Sequence, residues 1–335
     1  MPTTQRPRGR KWRVAGLAAA AATVALLSAV ACGSNPGPAP SRLYTDPGNP
    51  LFAVAAGLEA HGQPSEATAL EAIAETPSGI WATGRPGEMQ AIREVTRAAA
   101  QAQAIPVIVA YNLPERDACG RLSSSEGPSA HGYERWITEL AAAIGTGDVI
   151  VIVEPDGLPD ILMGCLSPAQ SAERYRLLRY AMRRLGALPH ARVYLDAGNP
   201  GMFRDPSGLA GPLDRAGLRH GRGFSANVSN FQWTAVVVSW SQRLEHALGG
   251  QVGAVIDTSR NGRGPYTGPE QPQWCNPPGR AVGPIPGLSP GPAGIDAYLW
   301  IKDPGASDGP CHGGPSAGQY WPEYALALER NSHRA

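Results

Sequence analysis

Two hydrophobic patterns alternate along the chain. Short, nearly unbroken apolar runs occur at IPVIVAY (105–111), DVIVIVE (148–154), ARVYLD (191–196), GFSANVS (223–229), QVGAVID (251–257) and AYLWI (297–301). Runs of this length, rich in Val and Ile, predict strands covered on both faces. Between most of them, apolar residues recur at helical spacing: Tyr133 to Ile144, Pro168 to Leu185, Thr234 to Leu248 and Gly318 to Glu329. The second of these opens on SPAQSAE, a serine cap with proline in the first turn. Strands alternating with helices predict parallel strands joined by right-handed crossovers. No glycine-rich dinucleotide-binding turn follows any strand, which weighs against a doubly wound sheet. The expected fold is α/β, a β/α barrel.

In such a barrel the carboxyl ends of all strands share one face, so the residues that end each strand decide its chemistry. In VIVEPDGLP (151–159) the apolar run meets Glu154 and Asp156 around Pro155. Asp196 and Asp257 end two other strands, and Asp117 and Asp308 lie in loops shortly beyond theirs. One aspartate at such a place is most often a turn former or helix cap. Five after five strands predict a carboxylate cluster on one rim, where like charges raise at least one pKa and supply an acid at neutral pH. Trp81, in TPSGIWATG, and Trp274, in QWCNPPGR, lie in Gly/Pro-rich stretches and are read as loop residues offering stacking faces to a sugar. Trp136 and Trp240 fall on helical patterns and Trp300 on a strand, so these three are assigned to the core.

Composition narrows the picture. With 335 residues and 42% hydrophobic content the chain can bury one large core. A net charge of only +1 gives no support for nucleic-acid binding. The 41 glycines and 33 prolines predict long, turn-rich loops. At the amino terminus Arg6, Arg8, Arg10, Lys11 and Arg13 precede an uncharged stretch from Val14 to Ala31, ending in AVAC. This pattern predicts a signal segment over 1–32. AVA suits ordinary signal peptidase, VAC resembles a lipobox that would lipidate Cys32, and an uncleaved anchor is the third reading. All three place the body outside the cytoplasm. Residues 33–43 have the composition of a flexible linker, with the folded domain expected over 44–335. Setting Cys32 aside, four cysteines remain, and an exported chain favours disulfides among them. Three pairings are open at this point. Metal binding is disfavoured because no two cysteines sit at CxxC spacing.

The residues from about Asn49 to Tyr324 resemble glycoside hydrolase family six, the inverting β-1,4-glucanases and cellobiohydrolases. AYNLPERDACG (110–120) and VIVEPDGLP match its two signatures; YLDAGNPGM, GFSANVSNFQ, VIDTSRNGRG, WCNPPGRAVG and WIKDPGASDGPC follow in the family's order. The resemblance implies a distorted barrel with fewer than eight parallel strands. It implies that Asp156 is the general acid, that Asp117 keeps the acid's pKa up and helps position water, and that Asp308 is the candidate base. Trp81, Tyr111, Asp196, Asn199, Asn230, Trp274 and Lys302 are implied to bind substrate. Cys119 with Cys165, and Cys275 with Cys311, match the family's two bridges. No cofactor or metal is implied; the expected partner is a β-1,4-glucan, and the expected state is a monomer, with membrane attachment through the amino terminus as an option.

Three positions depart from the family pattern. Ala306 stands where a glutamate is usual, Asn199 replaces a histidine, and Met202 replaces an aromatic ring. Weaker binding on the leaving-group side is expected, with activity kept because the acid and candidate base survive. A glucan-binding protein without turnover, or a glycosidase of another β-glucan, is the alternative. Only short segments separate GRAVG from WIK and DGPC from the last helix, so the cleft is expected to be open and cleavage internal. No appended binding module is expected after Ala335.

Overall fold

The computed structural model describes residues 41–123 and 127–332. The signal, lipidation and most of the linker readings lie outside these residues. The elements run in order β1 (Arg42–Leu43), α1 (Pro50–Ala60), α2 (Pro64–Ala74), β2 (Ile80–Ala82), α3 (Glu88–Gln101), β3 (Ala104–Ile105) and β4 (Val107–Ala110). They continue with α4 (Ala130–Ile144), β5 (Val149–Val153), α5 (Pro159–Leu162), α6 (Pro168–Gly186), β6 (Ala191–Asp196), α7 (Ala210–Arg215) and β7 (Gly223–Ala226). The last are α8 (Thr234–Ala247), β8 (Gly253–Asp257), β9 (Gly287–Leu288), β10 (Ile295–Leu299) and α9 (Pro322–Arg330). One curled sheet has the strand order β2-β4-β5-β6-β7-β8-β10-β9. Every neighbouring pair is parallel except β9 on β10, so seven strands form the parallel part of the barrel. Between β2 and β10 a single parallel bridge, Ser78 to Trp300, stands in for a ladder, with Gly79 N–H donating to the Trp300 carbonyl at 2.7 Å.

Strand β5 shows why the apolar runs become strands. Val149, Val151 and Val153 pack outward under the helices, while Ile150 and Ile152 point into the barrel. All five are at most 1% exposed, which stabilises by on the order of 10 kcal/mol before chain-ordering entropy is subtracted. Helix α6 is fixed by a capping box: Ser167 Oγ accepts from Gln170 N–H, and the Gln170 side chain accepts from Ser167 N–H. Three expectations change. Trp81 lies on strand β2 and not in a loop, paired with Val109. The body begins before Tyr44, because Arg42 and Leu43 pair with Ala104 and Ile105. The last helix starts at Pro322, preceded by a turn-rich segment.

Candidate active site

At the carboxyl ends of the parallel strands lies a cleft of about 1150 Å³. Asp156 enters it from the turn after β5. Glu154 (φ 51°) and Asp156 (φ 62°) both take the left-handed conformation around Pro155, and Gly157 N–H closes the turn on the Glu154 carbonyl at 2.8 Å. Such backbone is strained for residues with a β-carbon; here it turns one carboxyl down and the next up. Glu154 goes into the floor, fully buried, accepting from the N–H groups of Asn112 and Leu113. Asp156 stays half-buried at the cleft. Burial pushes its carboxyl well above the usual range, and Asp196, Asp160, Asp117 and Asp308, in that order, push the same way. Among the described residues no donor reaches its carboxyl oxygens.

Asp308 lines the same cleft and has the opposite environment. Burial opposes its ionisation, but Arg260 and Lys302 outweigh this and hold it below the usual range. Arg260 donates to both oxygens at 2.8 and 3.0 Å, Asn276 N–H donates at 3.0 Å, and Lys302 Nζ lies 3.2 Å away. Asp117, also left-handed (φ 55°), accepts from Leu122 N–H, Ser123 N–H and Ser123 Oγ at 2.7–2.9 Å. Its loop is stapled by the Cys119–Cys165 bridge, and the loop before Asn276 is tied to that after Asp308 by Cys275–Cys311. The two pairings are those implied by the family resemblance.

Trp81 offers a fixed face: its Nε1 donates to the Ile301 carbonyl at 2.9 Å, Tyr111 meets it edge-on at 5.2 Å, and Lys302 Nζ lies 5.8 Å from the ring centre. The Tyr111 hydroxyl bonds Ser123 Oγ, and burial first, with the carboxyl groups of Asp156 and Asp117 beside it, pushes its pKa well above the ordinary phenol value. Asn230, Trp274, Met202 and Ala306 line the cleft, Trp274 being 38% exposed. Asn199 lines it too, yet its Oδ1 is occupied by Gly201 and Met202 N–H, so it shapes a turn.

Only three of the five aspartates reach the rim. Asp196, expected to bind substrate, is 1% exposed and lies beneath Asp156, accepting its N–H at 3.0 Å and the Ser225 hydroxyl at 3.2 Å. Burial first raises its pKa, to about 7. Asp257 is likewise buried and accepts from Ser229, Ser259 and Lys302 N–H. Three residues to which the sequence reading gave no role complete the site. Asp160, paired with Arg174 at 3.1 Å, accepts from Ala118 and Cys119 N–H and so positions the Asp117 loop. Asp303 accepts from Tyr320 and Asn49. Arg260 is the third, and its place in VIDTSRNGRG was the one available signal.

Acid-assisted cleavage of a sugar acetal needs a carboxyl that keeps its proton near neutrality and a flat face to hold the ring. On the carboxyl rim of a β/α barrel these define the class, a glycoside hydrolase. Comparison with known proteins agrees. The family described as "Glycosyl hydrolases family 6" matches residues 39–332, and the chain belongs to it. It is 42% identical over 263 residues, 77% of this chain and 70% of the relative, to "Endoglucanase 1" of Streptomyces sp. (strain KSM-9). It is 37% identical to "Endoglucanase 1" of Streptomyces halstedii, covering 85% of this chain and 87% of that one. The endoglucanase Cel6 from Mycobacterium tuberculosis, solved with methyl-cellobiosyl-4-deoxy-4-thio-β-D-cellobioside, superposes with TM-score 0.79 and 38% identity, covering 87% of this chain and 97% of that one.

Proposed function

We propose that the chain is an inverting endo-β-1,4-glucanase working outside the cytoplasm. The observation that carries this is the opposed environment of two cleft aspartates: Asp156 is driven to keep its proton and Asp308 to lose it. Asp156 protonates the departing glycosidic oxygen. A water on the other face of the ring attacks the anomeric carbon and yields its proton toward the anionic Asp308, directly or through a second water. Asp117 adds negative charge beside Asp156 and holds Ser123 against Tyr111. Trp81 seats a glucosyl ring, and Trp274 and Lys302 line the cleft around it.

The endoglucanase relatives and the folding-back of the late loops support internal cleavage. Residues 287–288 add to the sheet edge and the 307–319 segment closes on itself through Ser307, Gly318 and Gln319. The two bridges and the basic, then apolar, amino terminus support export, with Cys32 lipidated or removed and the body monomeric. Asp156→Asn is the test. Hydrolysis of soluble β-1,4-glucan should fall by at least about a hundredfold, substrates with an activated leaving group should be partly spared, and proton NMR on the unsubstituted enzyme should show inverted product. Equal loss on both substrate types, or retained configuration, would overturn the mechanism.

A further inference from the structure

Trp233 is a large apolar side chain that neither the core nor the cleft described above uses. It is 51% exposed at the start of α8. Leaving half an indole in water is unfavourable, yet the surrounding chain holds it still. Asn261 Nδ2, buried, donates to the Gln232 carbonyl and to Thr234 Oγ1, both at 3.0 Å, gripping the backbone on either side. Asn227 Oδ1 accepts from Gln232 N–H at 3.1 Å. The indole lies on Gly264 (φ 65°), where a β-carbon would sit 2.1 Å from Cε2, so only glycine leaves the ring its seat. That loop is in turn clamped by Arg280 Nη1, which donates to the carbonyls of Arg263, Gly264 and Pro265 at 2.8–3.1 Å.

Both neighbours of this ring line the cleft: Gln232 on one side, Pro265 and Tyr266 on the other. Gln232 also places it beside the Asn199–Met202 turn, which the family resemblance assigns to the leaving-group side. A β-carbon on Gly201 would meet Gln232 Nε2 at 2.8 Å and Asn199 Oδ1 at 3.0 Å, so Gln232 stands against the Asn199–Met202 turn. A glucan leaving the cleft past Met202 meets an aromatic face held by two fixed loops. Pyranose rings present apolar C–H faces, and a held indole is the side chain that binds them at least entropic cost. We propose that Trp233 is a distal glucan-binding platform on the leaving-group side, outside the cleft proper, so that chain length decides how well a substrate is held.

The proposal rests on the glucanase reading, and its test separates the two. Trp233→Ala is compared with the unsubstituted enzyme on the series from cellotriose to cellohexaose and on soluble polymer, with Trp233→Tyr to keep a ring and Trp233→Leu to keep an apolar cover on Gly264. The expected result is kcat/KM lowered roughly three- to tenfold on the longest substrates and unchanged on the shortest, with Tyr near wild type and Leu like Ala. An equal fall at all lengths, no fall at any length, or Leu matching the wild type would overturn it. If the unsubstituted enzyme cleaves none of the series but cleaves mixed-linkage or β-1,3 oligosaccharides, the β-1,4 assignment fails, and the same length comparison on those glucans decides Trp233. If it cleaves and binds no glucan, both fall.

Discussion

Replacing Arg260 by Met probes the polar centre of the cleft. Arg260 is fully buried and makes two hydrogen bonds to Asp308, at 2.8 and 3.0 Å, and a third at 2.6 Å to the Ser229 carbonyl, with its guanidinium 4.5 Å from the Phe231 ring centre. Only its Nε lacks a partner. Methionine keeps most of the volume and the contact with Phe231 but removes the charge. Asp308, 9% exposed, would then depend on Lys302 and Asn276 alone. Removing one member of a buried pair costs about 3–5 kcal/mol, and at roughly 2 °C per kcal/mol for a large domain the melting temperature should drop by about 6–10 °C.

The pH dependence gives a second readout. The depressed Asp308 pKa means that the ion pair stabilises the fold at pH values above the ordinary aspartate range and that this stabilisation is lost as pH falls through the depressed value. Without Arg260 the Asp308 pKa rises, so the acid limb of kcat/KM should move to higher pH. Adding Asp308→Asn should recover part of the stability and none of the activity, because a neutral amide needs no counter-charge. Calorimetry and a pH–rate profile on soluble glucan check this. A melting shift under about 2 °C with an unmoved acid limb would refute the claim that Arg260 keeps Asp308 ionised.

Asp196→Asn keeps an acceptor oxygen for the Asp156 N–H and lets its amide N–H donate to the Ser225 hydroxyl in place of accepting from it. It removes a charge next to Asp156, so the alkaline limb of activity should move to lower pH; an unmoved limb rules out the coupling. The Asp196 pKa is raised from 3.8 to about 7, so its contribution to stability is present at low pH and lost as pH rises through that window, and the variant's stability should be flatter there by up to about 1.4 kcal/mol per pH unit. Cys119→Ser with Cys165→Ser opens a bridge of sequence separation 46. The chain-entropy contribution lost is about 4 kcal/mol, and activity should fall beyond what unfolding explains because the Asp117 loop is released; mass mapping that joins Cys119 to Cys275 would refute the pairing.

The barrel strands were legible because residues such as Val149–Val153 are buried on both faces and carry no polar interruption. Helix α1, PLFAVAAGLEA, was not: it is apolar nearly all round, with Gly57 in its middle. Strand β2 has only three residues among glycines, so Trp81 read as loop. The aspartates at strand ends were visible, but their directions were not. Asp196 ends β6 and faces the floor, whereas Asp156 stands three residues past β5 on a left-handed turn that no spacing rule predicts. Arg260 pairs with a residue 48 positions away, a separation that leaves no periodic trace.

Burial alone cannot explain why Asp156 keeps a proton and Asp308 does not, since burial raises the pKa of both. The difference is the supply of donors. Asp308 receives two bonds from Arg260, one from Asn276 N–H and the Lys302 charge. Asp156 faces four carboxyl groups, and the cation that pairs with one of them, Arg174, is neutralised by Asp160 and donates to the Pro114 and Glu115 carbonyls. Arg174 therefore fixes the Asp117 loop through Asp160 without delivering net positive charge to the acid, and Asp160 still contributes to raising the Asp156 pKa. In the proposed mechanism, the acid is made by withholding counter-charge from one carboxyl while concentrating it on another across the same cleft.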